Sequence, residues 1–365
     1  MKVLTVVGAR PQFIKAAMVS HVLRERHTEV LVHTGQHFDY NMSQKFFEEL
    51  DIPTPDYNLG ISGGTHAQMT GNMMIAIEEV LIKEKPDWLL LFGDTNSTLA
   101  AAIAGAKLHI PICHVEAGNR TDNKNNPEEI NRICTDHIAS LLLTSSESGL
   151  KRLEMEDLKR NSFFVGNLMF DAFKEYSKKL RVDEVVLKSL NGCQIAVPNN
   201  FYYLTCHREE NTHDDKTLKE VFDAMNRLDA KTIYPVHPRN KERALRLKET
   251  FEYDNIILCE PIGYLESVCL INNAKAIVTD SGGLQCEAFF AKKKCVIILD
   301  FVCWPEIMVD GRSELSPTKA EEIIKRLSNP QVIDEDYQPF GDGNSAKKIV
   351  ELMEKHLDTQ QEKQI

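Results

Sequence analysis

The chain has 365 residues, 42% hydrophobic and 27% charged, with a formal net charge of −11 at pH 7. That is enough for two ordinary domains or one large one, and enough apolar content for a sizeable core. The acidic balance argues against a nucleic-acid-binding surface, and no apolar run is long enough to span a bilayer.

KVLTVV, at the start, predicts a buried strand that ends at Gly8, and Pro11 then suits the first turn of a helix over 11–24. This first apolar run is too short, and too soon interrupted by Gly8 and Arg10, to be expected as a secretion signal; a cytoplasmic protein is expected. EVLVHTG, DWLLLFG and PICHVEA predict further strands, separated by helical patterns over 66–83, 95–107 and 127–142. The charged stretch 170–200 reads as a connection between domains. A second series follows: strands in FYYLTC (201–206), TIYPVH (232–237), NIILCE (255–260), AIVTD (276–280) and CVIIL (295–299), with helices over 216–228, 240–250, 264–272, 283–291 and 318–327. A last helix is predicted over 346–356, before a polar, frayed tail. Strand and helix alternate throughout, the mark of parallel sheets covered on both faces. The expected architecture is α/β: two doubly wound domains, 1–170 and 171–365, facing one another.

In open α/β sheets ligands bind beyond the carboxyl ends of the strands, and the unusual polar residues of this chain fall there. After the first strand come Gly8, Arg10 and Lys15. A helix N-terminus with a forked guanidinium beside it suits a phosphate, although solvated cations explain the same letters equally well. Asp94 follows the strand DWLLLF and by itself reads as a helix cap. Glu116, at the end of a buried strand, is harder to explain without a partner or a purpose. In PEEINR, Glu128 and Arg132 stand four apart and share a helix face, which in isolation predicts a plain salt bridge. Three acids after successive elements of one sheet (Asp94, Glu116 and Glu128) look more like an acid/base set.

In the second half, His207 and His237 each follow a strand, a place where a histidine is often only a hydrogen bonder. VTDSGGLQCEA carries more information. Ser281, Gly282 and Gly283 open a helix whose free amides suit a diphosphate, with Glu287 placed to accept from ribose hydroxyls. The nine cysteines contain no CxxC pair, so buried free thiols are expected rather than a metal site.

Together GARPQFIK, TGQH, FGDTNSTLA, HVEAGNR, PEEINR, TCHREEN, YPVHP, GYLES, DSGGLQCEA and GDGNSAKKI resemble the non-hydrolysing UDP-N-acetylglucosamine 2-epimerases over nearly the whole chain. The resemblance implies a GT-B-type fold of two Rossmann-like domains around a cleft, a homodimer, and a final helix (about 345–357) that packs back on the first domain. It implies a UDP-sugar substrate and no external cofactor or metal. UDP leaves by anti elimination, and the resulting alkene is reprotonated on the opposite face of C2. By resemblance Asp94, Glu116, Glu128 and His207 form the catalytic set. Arg10, His207, Ser281, Gly282 and Gly283 would hold the diphosphate. Lys15 and Arg132 would organise the carboxylates, with His237 and Glu287 on the nucleotide.

The chain also departs from that family. The usual GTRPE is GARPQ here, with Ala9 and Gln12. TGQH runs into Phe38 and Asp39 rather than Arg-Glu, and His-Arg-Arg-Glu becomes His207-Arg208-Glu209-Glu210. The lost arginines belong, in members activated by their own substrate, to a second UDP-sugar site, so this chain is expected to lack that activation. A segment usually reading Arg-Asp-x-Thr-Glu is Leu299-Asp300-Phe301-Val302-Cys303. Several motifs lean towards relatives acting on modified sugars, such as UDP-2,3-diacetamido-glucuronate or a 6-deoxy-acetamido sugar. A GT-B glycosyltransferase, a hydrolysing epimerase and a non-catalytic nucleotide-sugar binder keep the same fold and remain alternatives.

Overall fold

A computed structural model describes residues 1–36, 50–302 and 304–362, without the side chains of Arg10 and of 360–362. Phe38, Asp39 and Cys303 thus lie outside the described residues, as does the Arg10 side chain. The chain forms two compact units, 1–172 with 338–365, and 173–337.

The first unit runs β1 (Lys2–Val7), α1 (Arg10–Leu23), β2 (Thr28–His33), β3 (Tyr57–Asn58), α2 (His66–Glu84), β4 (Trp88–Phe92), α3 (Asn96–Lys107), β5 (Ile112–Val115), α4 (Pro127–Ile138), β6 (Leu141–Thr144), α5 (Glu147–Met155) and β7 (Ser162–Phe164). α6 (Leu168–Tyr176) carries the chain into the second unit. The seven strands are parallel, in the order β3-β2-β1-β4-β5-β6-β7. Because helices cover both faces, the central strands are apolar throughout rather than alternating: all of WLLLF in β4 is buried. Leu4, Val32, Leu89 and Leu91 pack under Ile77 and Leu81 of α2 and the alanines Ala100, Ala101 and Ala104 of α3.

The second unit runs β8 (Val186–Lys188), β9 (Gln194–Ala196), β10 (Phe201–Thr205), α7 (Glu209–Thr212), α8 (Asp215–Asn226), β11 (Lys231–Pro235), α9 (Lys241–Phe251), β12 (Ile256–Cys259), α10 (Tyr264–Asn273), β13 (Ala276–Thr279), α11 (Gly282–Phe290), β14 (Lys294–Ile297), β15 (Ser313–Leu315) and α12 (Ala320–Ser328). Its six-stranded sheet is parallel, in the order β12-β11-β10-β13-β14-β15. Read from its own first strand, that is the 3-2-1-4-5-6 order of the first unit again, the order of dinucleotide-binding folds. α13 (Ser345–Glu362) returns to the first unit. There Asp171 caps it, accepting from Ser345 Oγ at 2.8 Å and the Ala346 amide at 2.9 Å, while Glu354 meets His27 Nε2 at 2.7 Å.

Four local expectations are corrected. The helix predicted over 127–142 stops at Ile138, and Leu141–Thr144 is a strand buried at every position. Short apolar runs are ambiguous between helix and strand, and the contest was decided by the gap between β5 and β7. The 170–200 stretch is not a bare connection: it holds most of α6 and the antiparallel pair β8–β9. α13 runs on through the polar residues expected to fray, to Glu362, since Gln, Glu and Lys are good helix formers. Two of the described cysteines, Cys134 and Cys193, are exposed rather than buried. Among the described residues no helix is long and apolar enough to cross a membrane, and no cluster of His, Cys, Asp or Glu could hold a metal ion.

Candidate active site

In each unit the strand order reverses beside the first strand, between β1 and β4 and between β10 and β13. In open α/β sheets the carboxyl edge at such a reversal is where ligands bind. GARPQFIK and FGDTNSTLA follow the two strands at the first reversal, and TCHREEN and DSGGLQCEA those at the second.

In the first unit Gln12 ties the two loops together. Its Oε1 accepts from the amides of Gly8 and Ala9 at 2.8 and 2.9 Å. Its Nε2 donates to the Phe92 carbonyl at 2.7 Å and to Thr95 and Thr98 Oγ1 at 3.1 Å. An ionised glutamate at this position could accept but not donate, so the amide is the form that satisfies both loops. The approach is close enough to require a glycine: a Cβ on Gly8 would lie 2.2 Å from Ser97 Oγ.

Glu116 leaves β5 with φ +71°, a left-handed conformation seldom adopted by a residue with a side chain. Strain of this kind persists only when the surroundings over-determine it. Here the amides of Glu116 and Ala117 both donate to the Leu143 carbonyl, at 2.9 and 3.1 Å. The Glu116 carboxylate is paired with Lys15 of α1, both side chains 10% exposed. It also lies against Gly93, where a Cβ would stand 3.2 Å from Glu116 Oε2. Asp94, the next residue, is paired with Arg132 of α4.

Sequence spacing pairs Arg132 with Glu128; the structure does not. Arg132 reaches Asp94 and, at 3.1 Å, Glu129, three residues away on the inward face of α4. Glu129 is buried and accepts from Thr121 N, Thr121 Oγ1 and Asp122 N at 2.9–3.0 Å. Burial alone would raise its pKa, but these bonds and Arg132 outweigh it and hold the carboxyl below the usual range. Glu128 is exposed at the start of the helix, its amide capped by Asn126 Oδ1 at 3.1 Å. Asn131, which the sequence reading missed, donates to the Asp94 carbonyl at 2.8 Å. Its place one residue before Arg132 in PEEINR was the available signal.

In the second unit the strut is Asp280. Its carboxylate accepts from the amides of His207 and Arg208 at 2.8 and 2.9 Å, from Asn211 Nδ2 at 3.2 Å, and faces His207 Nδ1 at 3.1 Å. Burial pushes this carboxyl up, yet His207 and the two amides prevail and hold it below its ordinary value. The loop after β10 is thereby fastened to the loop after β13. The His237 ring stacks on His207 with centroids 6.4 Å apart. Burial, then Arg239 and His207, lower the His237 pKa.

Ser281 caps α11, its Oγ accepting from Leu284 N at 3.4 Å. The first-turn amides of Gly282 and Gly283 have no intrahelical acceptor. Gly283 has open space where a Cβ would be, so nothing in the described protein requires a glycine there. Further along α11, Glu287 is buried against the Tyr264 hydroxyl, and burial raises its carboxyl to about 7 despite that hydroxyl. The altered loop after β14 places the Phe301 ring 5.2 Å from the Arg208 guanidinium.

Lys15, Glu116, Asp94 and Arg132 thus come together at one switch point, and His207, His237, Ser281 and the two glycines gather around the other. Glu128 joins neither ion pair. Two Rossmann-order units with polar switch points define a GT-B-type α/β protein. The family model for UDP-N-acetylglucosamine 2-epimerase matches residues 21–354. A UDP-N-acetylglucosamine 2-epimerase homolog of Methanococcus maripaludis is 44% identical over 97% of this chain and 99% of its own length. The UDP-2,3-diacetamido-2,3-dideoxy-D-glucuronate 2-epimerase of Pseudomonas aeruginosa is 41% identical over 97% of this chain and all of its own. The solved UDP-GlcNAc 2-epimerase of Methanocaldococcus jannaschii, in complex with UDP-GlcNAc and UDP, superposes with a TM-score of 0.81 at 36% identity, covering 97% of this chain and 99% of that one. The chain belongs to the UDP-N-acetylglucosamine 2-epimerase family.

Proposed function

We propose that the protein is a non-hydrolysing C2 epimerase of a UDP-2-acetamido sugar. One observation carries the reading: two strand-end carboxylates, Glu116 and Asp94, each oriented by its own cation, Lys15 and Arg132. The C2 hydrogen has no carbonyl beside it in the ring, so a base alone cannot remove it readily. The C1–O bond breaks first, its electron pair leaving with UDP, and positive charge builds at C1. One carboxylate then takes the C2 proton and the C1=C2 bond forms. Return of a proton to the opposite face of C2, from the second of the two groups, which enters the reaction as the carboxylic acid, and re-addition of the UDP oxygen to C1 complete the inversion. Groups that stabilise the departing diphosphate therefore matter as much as the base. His207, Ser281 and the amides of Gly282 and Gly283 supply them, joined by Arg10, whose side chain lies outside the described residues. Glu287 takes the ribose hydroxyls, and His237 supports His207. Glu128, exposed and outside both ion pairs, is kept as a third acid that reaches substrate only when one is bound.

The 41% identity to a diacetamido-glucuronate epimerase supports a modified sugar as the second reading. A homodimer in the cytoplasm completes the proposal. Ile75 and Ile82, 61% and 56% exposed and two turns apart on α2, offer the dimer an apolar face.

Incubation with candidate UDP-sugars in deuterated water tests the assignment. Deuterium at C2 with the UDP-sugar retained is expected. Free sugar with released UDP would make the protein a hydrolysing epimerase. Tight binding without exchange would make it a transferase or a binder.

A further inference from the structure

His114, on β5, has no part in the chemistry above, yet it lies between the two turns that carry the carboxylates. Its ring is wholly buried, as is the side chain of its partner Asp136 on α4. Nε2 is 2.7 Å from the Gly93 carbonyl oxygen, and Nδ1 is 2.7 Å from Asp136 Oδ1. A carbonyl has no proton to give, so Nε2 must donate. Asp136 Oδ2 accepts from the Gly118 amide at 3.0 Å and from the Arg120 guanidinium at 2.8 Å; burial pushes this carboxyl up, but His114, Arg120 and that amide prevail and hold it below its ordinary value, so Asp136 is a carboxylate and Nδ1 must donate as well. A neutral imidazole has one N–H and would leave one of these buried acceptors facing a lone pair. The geometry requires both ring nitrogens to be protonated.

Gly93 precedes Asp94, and Gly118 closes the strained turn that begins at Glu116. We infer that His114 is a positioning residue: a buried imidazolium that holds the Gly93 carbonyl directly and the Gly118 amide through Asp136, and so sets Asp94 and Glu116 relative to each other. The inference rests on the proposed roles of those two carboxylates. The titratable groups that face His114 from the elements around it are Asp136 of α4 and Arg120 of the loop after β5. Behind Arg120 stands Glu156, at 2.7 Å, itself met by Arg152 at 3.1 Å and His137 at 3.8 Å. Each charge in this chain has an opposite neighbour, which is what permits an imidazolium in a dry place.

Two variants and one spectrum test it. His114→Gln keeps a donor towards Gly93, and His114→Asn keeps one towards Asp136; each gives up the other bond. Both are expected to lower kcat for C2 exchange by about 10- to 100-fold, the cost of a misplacement of about 1 Å, with KM and UDP affinity within about twofold of wild type. In the full-length wild type labelled with 15N-histidine, the resonances missing from His114→Gln identify His114, and both its ring nitrogens are expected to carry protons. A neutral tautomer in the wild-type spectrum overturns the inference, and so does a folded variant that turns over at the wild-type rate. If neither variant folds, the His114 resonances are assigned from a histidine-by-histidine set and the wild-type spectrum decides. A wild type that exchanges no C2 hydrogen is a different result: it defeats the proposed function, whereas exchange that His114 variants leave intact defeats only the role of His114.

Discussion

The two units share a strand order and differ in what they place at its reversal. In the first, the loops after β1 and β4 are joined by a neutral amide, Gln12, and the crevice is left to carboxylates that already have cations. In the second, the joining group is itself a buried carboxylate, Asp280, and the crevice is left to imidazoles, a serine and free amides. The strut carboxylate spends its charge on backbone amides and an imidazole; Glu116 and Asp94 each face a single cation. Topology therefore decides where polar groups collect, and the choice of strut decides which sign of charge remains to meet a ligand. In the proposed reaction the first unit moves protons and the second holds an anion.

Substitutions that strike one unit and spare the other can break this division. The largest effect is expected from Glu116→Gln, which should lower C2 exchange by about 10²–10⁴-fold, the usual share of an acid/base group, while UDP affinity by calorimetry stays within about twofold. It also strands Lys15 in a nearly dry site, so urea unfolding should show a loss of about 3–5 kcal/mol. A collapse of UDP affinity in this variant would erase the division. Asp280→Asn is the opposite probe. With an acceptor lost to several donors, UDP affinity should fall by about 10- to 100-fold and stability by about 2 kcal/mol, whereas the Lys15–Glu116 pair has no reason to change. Smaller still is Gly283→Ala. The open space around its Cβ position predicts an unchanged or slightly raised Tm, since alanine suits a helix by up to about 1 kcal/mol. UDP should nevertheless bind about tenfold more weakly, or about 1.4 kcal/mol, because the ligand is what needs that space. Full affinity in this variant would remove the α11 amides from the site.

The mildest effect is that of pH on Glu287. Its folded value of about 7 lies above its ordinary 4.5, so between these values the folded protein holds more protons than the unfolded chain. Stability should therefore fall as pH rises through that window and level off above it. Ribose hydroxyls donate best to the ionised form, so affinity for a UDP-sugar, whose diphosphate does not titrate near neutrality, should rise severalfold from about pH 6 to 8 with release of a proton. Calorimetry in buffers of different ionisation enthalpy measures that proton. The slope should vanish in Glu287→Gln, and a slope that survives would remove Glu287 as its source.

Much of the fold could be read along the chain because buried parallel strands are short apolar runs and the helices between them are amphipathic. The α/β class, the two series of strands and most helix positions follow from that pattern. It failed at LLLT in β6, where three leucines suit a helix as well as a strand, and at β8–β9, where a charged stretch gave no alternation to read. In the site, Glu116 was conspicuous because a charge ending an apolar run needs a partner. The cation that serves each carboxylate is another matter: Lys15 is 101 residues from Glu116, and Arg132 is 38 from Asp94. Spacing on one helix favoured Glu128 for Arg132, and a contact made across the sheet overrode it.

By itself, the sequence determined most of the elements, the family and the strand-end positions of the polar residues, because hydrophobic period and strand-to-helix hand-over are local properties. Only the tertiary structure decided the partners: Gln12 and Asp280 as struts, Glu129 in place of Glu128, and His114 facing two acceptors at once. Hydrogen bonds and ion pairs are short-ranged, and which groups come within 3 Å depends on how distant strands are ordered in a sheet.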